Sequence, residues 1–159
     1  MNIQNSKSIP VLEDYESITQ ETNSILSSPT LLIKRCQEIG EHYRSIVKDL
    51  YESDIRSAIG FVKNFDEIPS ILSLGTIANC NFFKTRPSDL SYLSNVTYAL
   101  NCMSADESQI VWECFFYPTK QKQSMLLKSK STFYRMKQSG AKMLVEMTNS
   151  CYEKFVLKD

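Results

Sequence analysis

The chain of 159 residues carries 18 basic and 18 acidic side chains and is 42% hydrophobic, so it can build a filled core. This composition excludes a disordered chain, and no apolar run approaches the roughly 20 residues of a membrane-spanning helix. Residues 1–8 are polar and lack the apolar centre of a signal peptide, so we expect a cytoplasmic protein without membrane contact.

The charges are distributed unevenly along the chain. Residues 1–116 have a net charge of −6, whereas residues 117–159 have a net charge of +6. Between Pro118 and Val145 there are seven basic residues and no acidic one. Such a block is typical of a surface that faces a polyanion, and a solvated helix face is an equally open interpretation.

Few residues indicate catalysis or metal binding. The five cysteines are far apart and form no C-x-x-C pair, which favours buried thiols over disulfides or a zinc site. The single histidine, His42, has no partner motif, and the chain lacks a glycine-rich phosphate loop. We therefore expect a protein that is not an enzyme and carries neither cofactor nor metal.

Helical periodicity dominates the first part of the chain. Residues 1–10 are predicted as a mobile tail, followed by a first helix over about 11–26. Ser28 and Pro29 predict the N-cap and first position of a second helix, which runs to about Ser53. The predicted core stripe of this helix contains Leu32, Ile39, Tyr43, Ile46, Val47 and Leu50. Four further apolar residues either continue this second helix or form a short third helix: Ile55, Ile59, Val62 and Phe65.

The region from Asp66 to Arg86 is interrupted by proline and glycine. It is predicted to contain a short helix with four buried residues, Ile71, Leu72, Leu74 and Ile77. Residues 80–87 are predicted to connect two lobes, with Phe82 and Phe83 anchored in the core. The predicted organisation is an N-terminal helical lobe over 11–86 and a second lobe over 87–159.

Two helices are predicted between this connection and the basic block. Ser88 is expected to cap the first, whose buried face contains Leu90, Leu93, Val96 or Thr97, and Leu100. Ser104 and Glu107 have the spacing of a capping box at the start of the second. Pro118 is expected to end this helix, whose apolar face contains Ile110, Val111, Trp112, Phe115 and Phe116.

The basic block is predicted to form a short helix over about 119–127, a turn, and a longer helix capped by Ser129. A period of 100° per residue places six residues of the longer helix on its core stripe: Phe133, Met136, Gly140, Met143, Leu144 and Met147. Gly140 predicts the close approach of another helix. The opposite face carries hydrogen-bond donors that suit bases and phosphates: Ser131, Arg135, Gln138, Ser139 and Lys142, flanked by Lys130 and Tyr134.

One run in this block combines a capping hydroxyl, basic residues and aromatic residues: Ser129-Lys130-Ser131-Thr132-Phe133-Tyr134-Arg135-Met136-Lys137. With the capped helix before it, this run resembles the helix-turn-helix of sigma-factor region 4. Similar proteins are the ArpU/RinA-type phage transcriptional regulators and the sigma-like regulators of mycoplasmas. The resemblance covers about a third of the chain, and three positions near the turn depart from the family pattern: Gln123, Leu127 and Lys128.

The resemblance implies an all-α protein whose C-terminal lobe binds double-stranded DNA. The residues expected to contact DNA are Lys120, Lys122, Lys130, Ser131, Thr132, Tyr134, Arg135, Gln138 and Lys142. The predicted function is a sequence-specific transcription regulator, or a sigma-like factor that acts with RNA polymerase. The alternative is a helical adaptor that contacts RNA polymerase or another partner without reading DNA. The target sequence, the sign of regulation and the oligomeric state stay open.

Overall fold

A computed structural model describes residues 20–63, 67–118 and 127–158, with side chains up to Asn149. All regular secondary structure in these ranges is helical, which confirms the predicted all-α class. After a helical stretch at 20–27, the described α-helices are α1 (Pro29–Ser53), α2 (Ile55–Phe61), α3 (Pro87–Cys102), α4 (Ala105–Val111) and α5 (Lys130–Lys158). Short 3₁₀ helices lie at Ile71–Thr76 and Asn81–Phe83, and the π-helical segment Trp112–Phe116 continues α4. None of the helices in the described ranges is long and apolar enough to cross a membrane.

Helix α1 begins and ends where its sequence predicts. The Leu31 N–H donates to Ser28 Oγ at 3.4 Å, and Pro29 occupies the first turn, where its missing N–H leaves no helical bond unmade. All six residues of the predicted core stripe are buried. The stripe also buries Cys36 and Gly40, so this face of α1 lies against the rest of the protein along most of its length.

The residues after α1 form a separate helix with a different buried face from the predicted one. Asp54 interrupts the chain in a non-helical conformation and caps α2 by accepting from the Ser57 N–H. This break changes the helical phase, so Ile55 and Ile59 are 58% and 47% exposed while Ala58 is buried. The alternative of a short third helix is therefore confirmed. Val62 of the apolar set is buried, and Phe65 lies outside the described residues.

The segment between α2 and α3 is only partly as predicted. The predicted short helix is a 3₁₀ helix at Ile71–Thr76, and Ile77 directly after it is fully buried. Leu72 and Ile71 are 90% and 36% exposed, so their predicted burial is wrong, and Leu74 is half-buried. Phe83 is buried and Phe82 packs against the core at a half-buried position, which confirms that this pair anchors the connection.

Helix α3 starts at Pro87, two residues earlier than a cap at Ser88 predicts. Pro87 takes the first helical position because its ring already holds the required φ, and Arg86 is the N-cap. The prediction that Ser88 caps this helix is therefore wrong, since Ser88 already lies within the first turn. The predicted inner face is confirmed at its centre by the burial of Leu93, Val96, Thr97 and Leu100.

The hydrophobic core joins both halves of the chain. It contains buried residues of α1, α3, the π-helical segment and α5 in one cluster. At its centre the Tyr43 ring meets Trp112 and Phe116 edge-on, with centroid distances of 5.6 and 5.3 Å, and Trp112 stacks on Phe116 at 5.1 Å. The division into two lobes at residue 86 stays a prediction, and the core crosses that position.

Candidate nucleic-acid interface

Helix α5 begins with the predicted serine cap. The Thr132 N–H donates to Ser129 Oγ at 3.3 Å, and the Ser129 hydroxyl lies 2.8 Å from Thr132 Oγ1. The Phe133 N–H donates to the Ser129 carbonyl at 2.9 Å, which is the first helical bond. Before the cap, Lys128 Nζ contacts Asp106 Oδ2 of α4 at 2.9 Å. The start of α5 is thus fixed both by its own cap and by an ion pair to α4.

The inner face of α5 is buried along the described side chains. Phe133, Gly140 and Leu144 are buried as predicted, while the methionines of the predicted stripe are half-buried. Three further buried residues were not predicted for the stripe: Ala141, Val145 and Thr148. The buried face is therefore rotated slightly toward these three positions, and α1, α3 and α4 all pack on it.

Helices α4 and α5 approach each other closely at Gly140. An ideal Cβ on Gly140 would lie 2.6 Å from Val111 Cγ2 and 3.5 Å from the Glu107 carbonyl oxygen. Separations below 3 Å do not occur in packed proteins, so only glycine fits here without a shift of Val111. The prediction of a close helix approach at Gly140 is confirmed.

A second close approach, at Gly40, was not predicted from the sequence. An ideal Cβ on Gly40 of α1 would lie 1.9 Å from the Phe115 carbonyl oxygen. The neighbouring Arg44 donates from Nη1 to the carbonyl oxygens of Phe116 and, at 3.4 Å, of Phe115. The Tyr117 N–H donates to the Trp112 carbonyl at 2.9 Å, a bond across five residues that is typical of a π-helix. Helix α1 therefore holds the π-helical segment.

The outer face of α5 presents several of the predicted DNA-contacting side chains. Lys130, Ser131, Arg135 and Lys142 are exposed, Tyr134 is 48% exposed, and Gln138 and Thr132 are half-buried. Thr132 is engaged by the Ser129 cap. Lys120 and Lys122 lie outside the described residues, so their position relative to this face stays a prediction.

Lys137 does not share this outer position. Its Nζ lies 5.6 Å from the centroid of the Phe115 ring and 5.9 Å from that of Tyr134, within the range of cation–π attraction. The Tyr134 ring also meets Phe133 edge-on at 5.5 Å. Lys137 therefore links α5 to Phe115 of the π-helical segment and lies beside Tyr134 at the flank of the outer face.

Glu146 of α5 lines the same surface depression as Arg135, Gln138 and Lys142. A second acidic residue, Glu107, lies on the neighbouring helix α4. Its carboxylate accepts from the Ser104 N–H at 3.2 Å, and the Glu107 N–H donates to Ser104 Oγ at 3.2 Å, which confirms the predicted capping box. A hydrogen bond from the Ser139 hydroxyl, together with the bonds from Ser104 and the charge of Arg135, lowers the pKa of the Glu107 carboxyl, and partial burial opposes this. The sequence indicated only the capping role, since nothing local predicts that Glu107 reaches α5.

Comparison with protein families, with curated proteins and with solved structures finds no match for this chain.

Proposed function

We propose that this protein is a sequence-specific DNA-binding transcription regulator that places the outer face of α5 against DNA. One observation carries the proposal. Arg135, Gln138 and Lys142 lie on one side of α5, and they make no hydrogen bond or direct ion pair with another described residue. The other side of the same turns is buried in the core.

The arrangement suits a helix that enters the major groove. The groove of B-DNA is about 12 Å wide, and it admits an α-helix whose outward side chains reach the base edges. Arg135 and Gln138 are one turn apart and carry the fork and amide donors that pair with guanine and adenine. Lys130, Ser131 and Lys142 at either end suit phosphate contacts, which fix the position of the helix on the duplex.

The test begins with selection from a library of random-sequence duplexes by the full chain. We expect one enriched sequence, bound with an affinity that falls steeply as salt is added. On this sequence Arg135→Ala should cost about 1–3 kcal/mol of binding free energy and relax the preference at one base. Lys142→Ala should instead weaken binding to all sequences alike and reduce the salt slope by about 1.

Lys48→Ala on α1 serves as the charge-matched control. Lys48 is exposed and lies on a helix that contributes nothing to the proposed face. Its loss should therefore leave the binding free energy and the salt slope near the wild-type values. The proposal is wrong if the full chain forms no salt-sensitive complex with any duplex.

A helical adaptor is the second candidate, because a different surface has exposed apolar side chains. Ile55, Ile59 and Leu72 are 58%, 47% and 90% exposed, and α2 packs beside the 3₁₀ helix that carries Leu72. For an adaptor that binds through this apolar surface, neither the surface nor the choice of partner would depend on α5. The adaptor would be favoured if the protein still captures RNA polymerase after nuclease treatment and when it carries the double substitution Arg135→Glu, Lys142→Glu. A sigma-like factor would instead need to bind both polymerase and DNA.

A further inference from the structure

We propose that residues 11–19, which precede the described part of the chain, dock along the outer face of α5 and compete with DNA for it. This inference rests on the proposed DNA-binding function and assigns a regulatory occupant to the same surface. It follows from the contacts of the helical stretch 20–27, from the surface depression on α5, and from the charge and apolar pattern of residues 11–19.

The helical stretch 20–27 lies against the outer face of α5 at one end. The Asn149 amide donates to Thr22 Oγ1 at 2.8 Å. Asn149 follows Lys142 by seven residues, which is two helical turns, so both residues lie on nearly the same face of α5. The described stretch therefore covers the C-terminal end of the face that carries Arg135 and Lys142.

The chain before Thr22 is directed toward the middle of α5. Glu21 Oε1 lies 2.8 Å from Arg35 Nη2 of α1. The next residue of α1, Cys36, donates from its thiol to the Ala141 carbonyl at 3.6 Å. Ala141 lies about 12 Å along α5 before the position at which Thr22 meets that helix. A helix that continues backward from Glu21 in this direction would pass over the outer face.

The surface depression on α5 lies along this path. Its lining includes Met143 and Met147, which are half-buried and packed against the core. It also includes the exposed Arg135 and Lys142 and one acidic residue, Glu146, which together give a net charge of +1. An occupant of the depression therefore needs apolar side chains for the methionines and a negative charge for the two basic residues.

The apolar pattern of residues 11–19 continues the buried face of the described stretch. Thr22 and Ile25 are the buried residues of that face. Steps of three or four residues back along the chain place Ile18, Tyr15 and Val11 on the same stripe. A helix from Val11 to Thr22 is about 16 Å long, close to the length of about 18 Å that the depression occupies along α5. The apolar stripe is therefore long enough to cover both methionines.

The charge of the segment is opposite to that of the depression. Glu13, Asp14 and Glu16 give residues 11–19 a net charge of −3, and the segment has no basic residue. Because the segment belongs to the same chain, its effective concentration at the depression is high, so weak contacts are sufficient for docking. DNA that binds Arg135 and Lys142 must displace it, which lowers the apparent affinity for the duplex.

Methionine-methyl NMR on the full chain tests the docking without DNA. Labelling with ¹³C at the methyl group gives signals from six methionines. We expect nuclear Overhauser contacts between the Tyr15 ring and the methyl groups of Met143 and Met147. Ile18→Ser should remove these contacts, because it interrupts the apolar stripe. The signal of Met103, which is buried in the core, should stay unchanged and shows that the variant is folded.

Duplex binding tests the competition. The double variant Glu13→Gln, Glu16→Gln should bind the selected duplex about three- to tenfold more tightly, the size of two exposed ion-pair effects. The control Glu41→Gln, Glu52→Gln removes the same number of charges from exposed positions of α1 and should change the affinity by less than about twofold. Addition of the selected duplex to the wild-type chain should also abolish the contacts between Tyr15 and the methionines.

The outcomes separate this inference from the proposed function. If the wild-type chain enriches no sequence, DNA binding and the competition are contradicted together, and the methionine contacts still decide whether the segment docks. Absence of the Tyr15 contacts in the wild-type chain contradicts the docking alone. If these contacts persist in the DNA complex, or if the two double variants bind DNA equally well, the competition is contradicted while DNA binding stands.

Discussion

At the scale of single residues, the two glycines Gly40 and Gly75 differ in what surrounds them. A Cβ on Gly40 would lie 1.9 Å from a backbone oxygen, whereas a Cβ on Gly75 would meet nothing within 4 Å. Backbone atoms cannot rotate away as a flexible side chain can. A side chain added at Gly40 would therefore push α1 away from the π-helical segment.

We therefore predict opposite effects for the same substitution at these two positions. Gly40→Ala should destabilise the protein by about 1–3 kcal/mol or more, which exceeds the gain of about 1 kcal/mol from helix propensity. Gly75→Ala should be neutral or stabilising by up to about 1 kcal/mol, since alanine restricts only the unfolded chain. Urea unfolding measures the change in unfolding free energy for both variants. Equal midpoints for the two would contradict the close contact of α1 with the π-helical segment at Gly40.

The lowered pKa of Glu107 gives a second prediction at this scale. A carboxyl whose pKa in the folded state lies below its ordinary value, here 4.5, stabilises the fold fully above that value. The contribution is lost as the pH falls through the lower, folded-state pKa. Wild type should therefore have a higher Tm than Glu107→Gln at pH 7, and the difference should shrink toward pH 3. A Tm difference that is the same at both pH values would contradict this assignment.

At the scale of secondary-structure elements, the π-helical segment depends on one side chain of another helix. The Arg44 guanidinium donates to the carbonyl oxygens of Phe115 and Phe116 at the end of the segment. Both carbonyls lie in a partly buried environment, where an unpaired acceptor is costly.

We predict that Arg44→Met destabilises the protein by about 1–3 kcal/mol, because the stem still packs while two carbonyls lose their donor. Lys48→Met, four residues further along α1 at an exposed position, should change the stability by less than about 0.5 kcal/mol. Guanidinium unfolding of both variants makes the comparison. If Lys48→Met lowers the stability as much as Arg44→Met does, the effect would come from the change in α1 and not from the two carbonyls.

The elements also show which features a sequence can predict. The caps Ser28, Ser104 and Ser129 were predicted because each depends on residues within one turn of the helix start. The π-helix, the contact at Gly40 and the reach of Glu107 to α5 were not predicted, because they depend on residues far apart in the chain. Of the candidate site, the outward face of α5 follows from its helical period, and the supporting residues on α1 and α4 do not.

At the scale of the whole molecule, contacts between distant parts of the chain bring the first and last described helices together. The Cys36 thiol donates to the Ala141 carbonyl at 3.6 Å, and burial raises its pKa to about 12, so it stays a protonated donor. The Asn149 amide donates to Thr22 Oγ1 at 2.8 Å. Helix α5 thus rests on residues from both sides of the predicted lobe boundary, and the proposed DNA-binding face depends on the N-terminal helices for its support.

This shared core predicts how the protein unfolds. Trp112 is the single tryptophan, and it packs between Tyr43 of α1 and Phe116, so its fluorescence reports the contact between the two predicted lobes. If that contact and the helices form one cooperative unit, urea transitions followed by Trp112 fluorescence and by far-UV circular dichroism should coincide. If the lobes over 11–86 and 87–159 fold independently, helix content should be lost in two steps, only one of which matches the fluorescence change. The variant Gly40→Ala adds a second comparison. If the protein is one cooperative unit, the substitution should lower the midpoints of the fluorescence and circular dichroism transitions equally. If the lobes fold independently, it should shift the fluorescence transition alone.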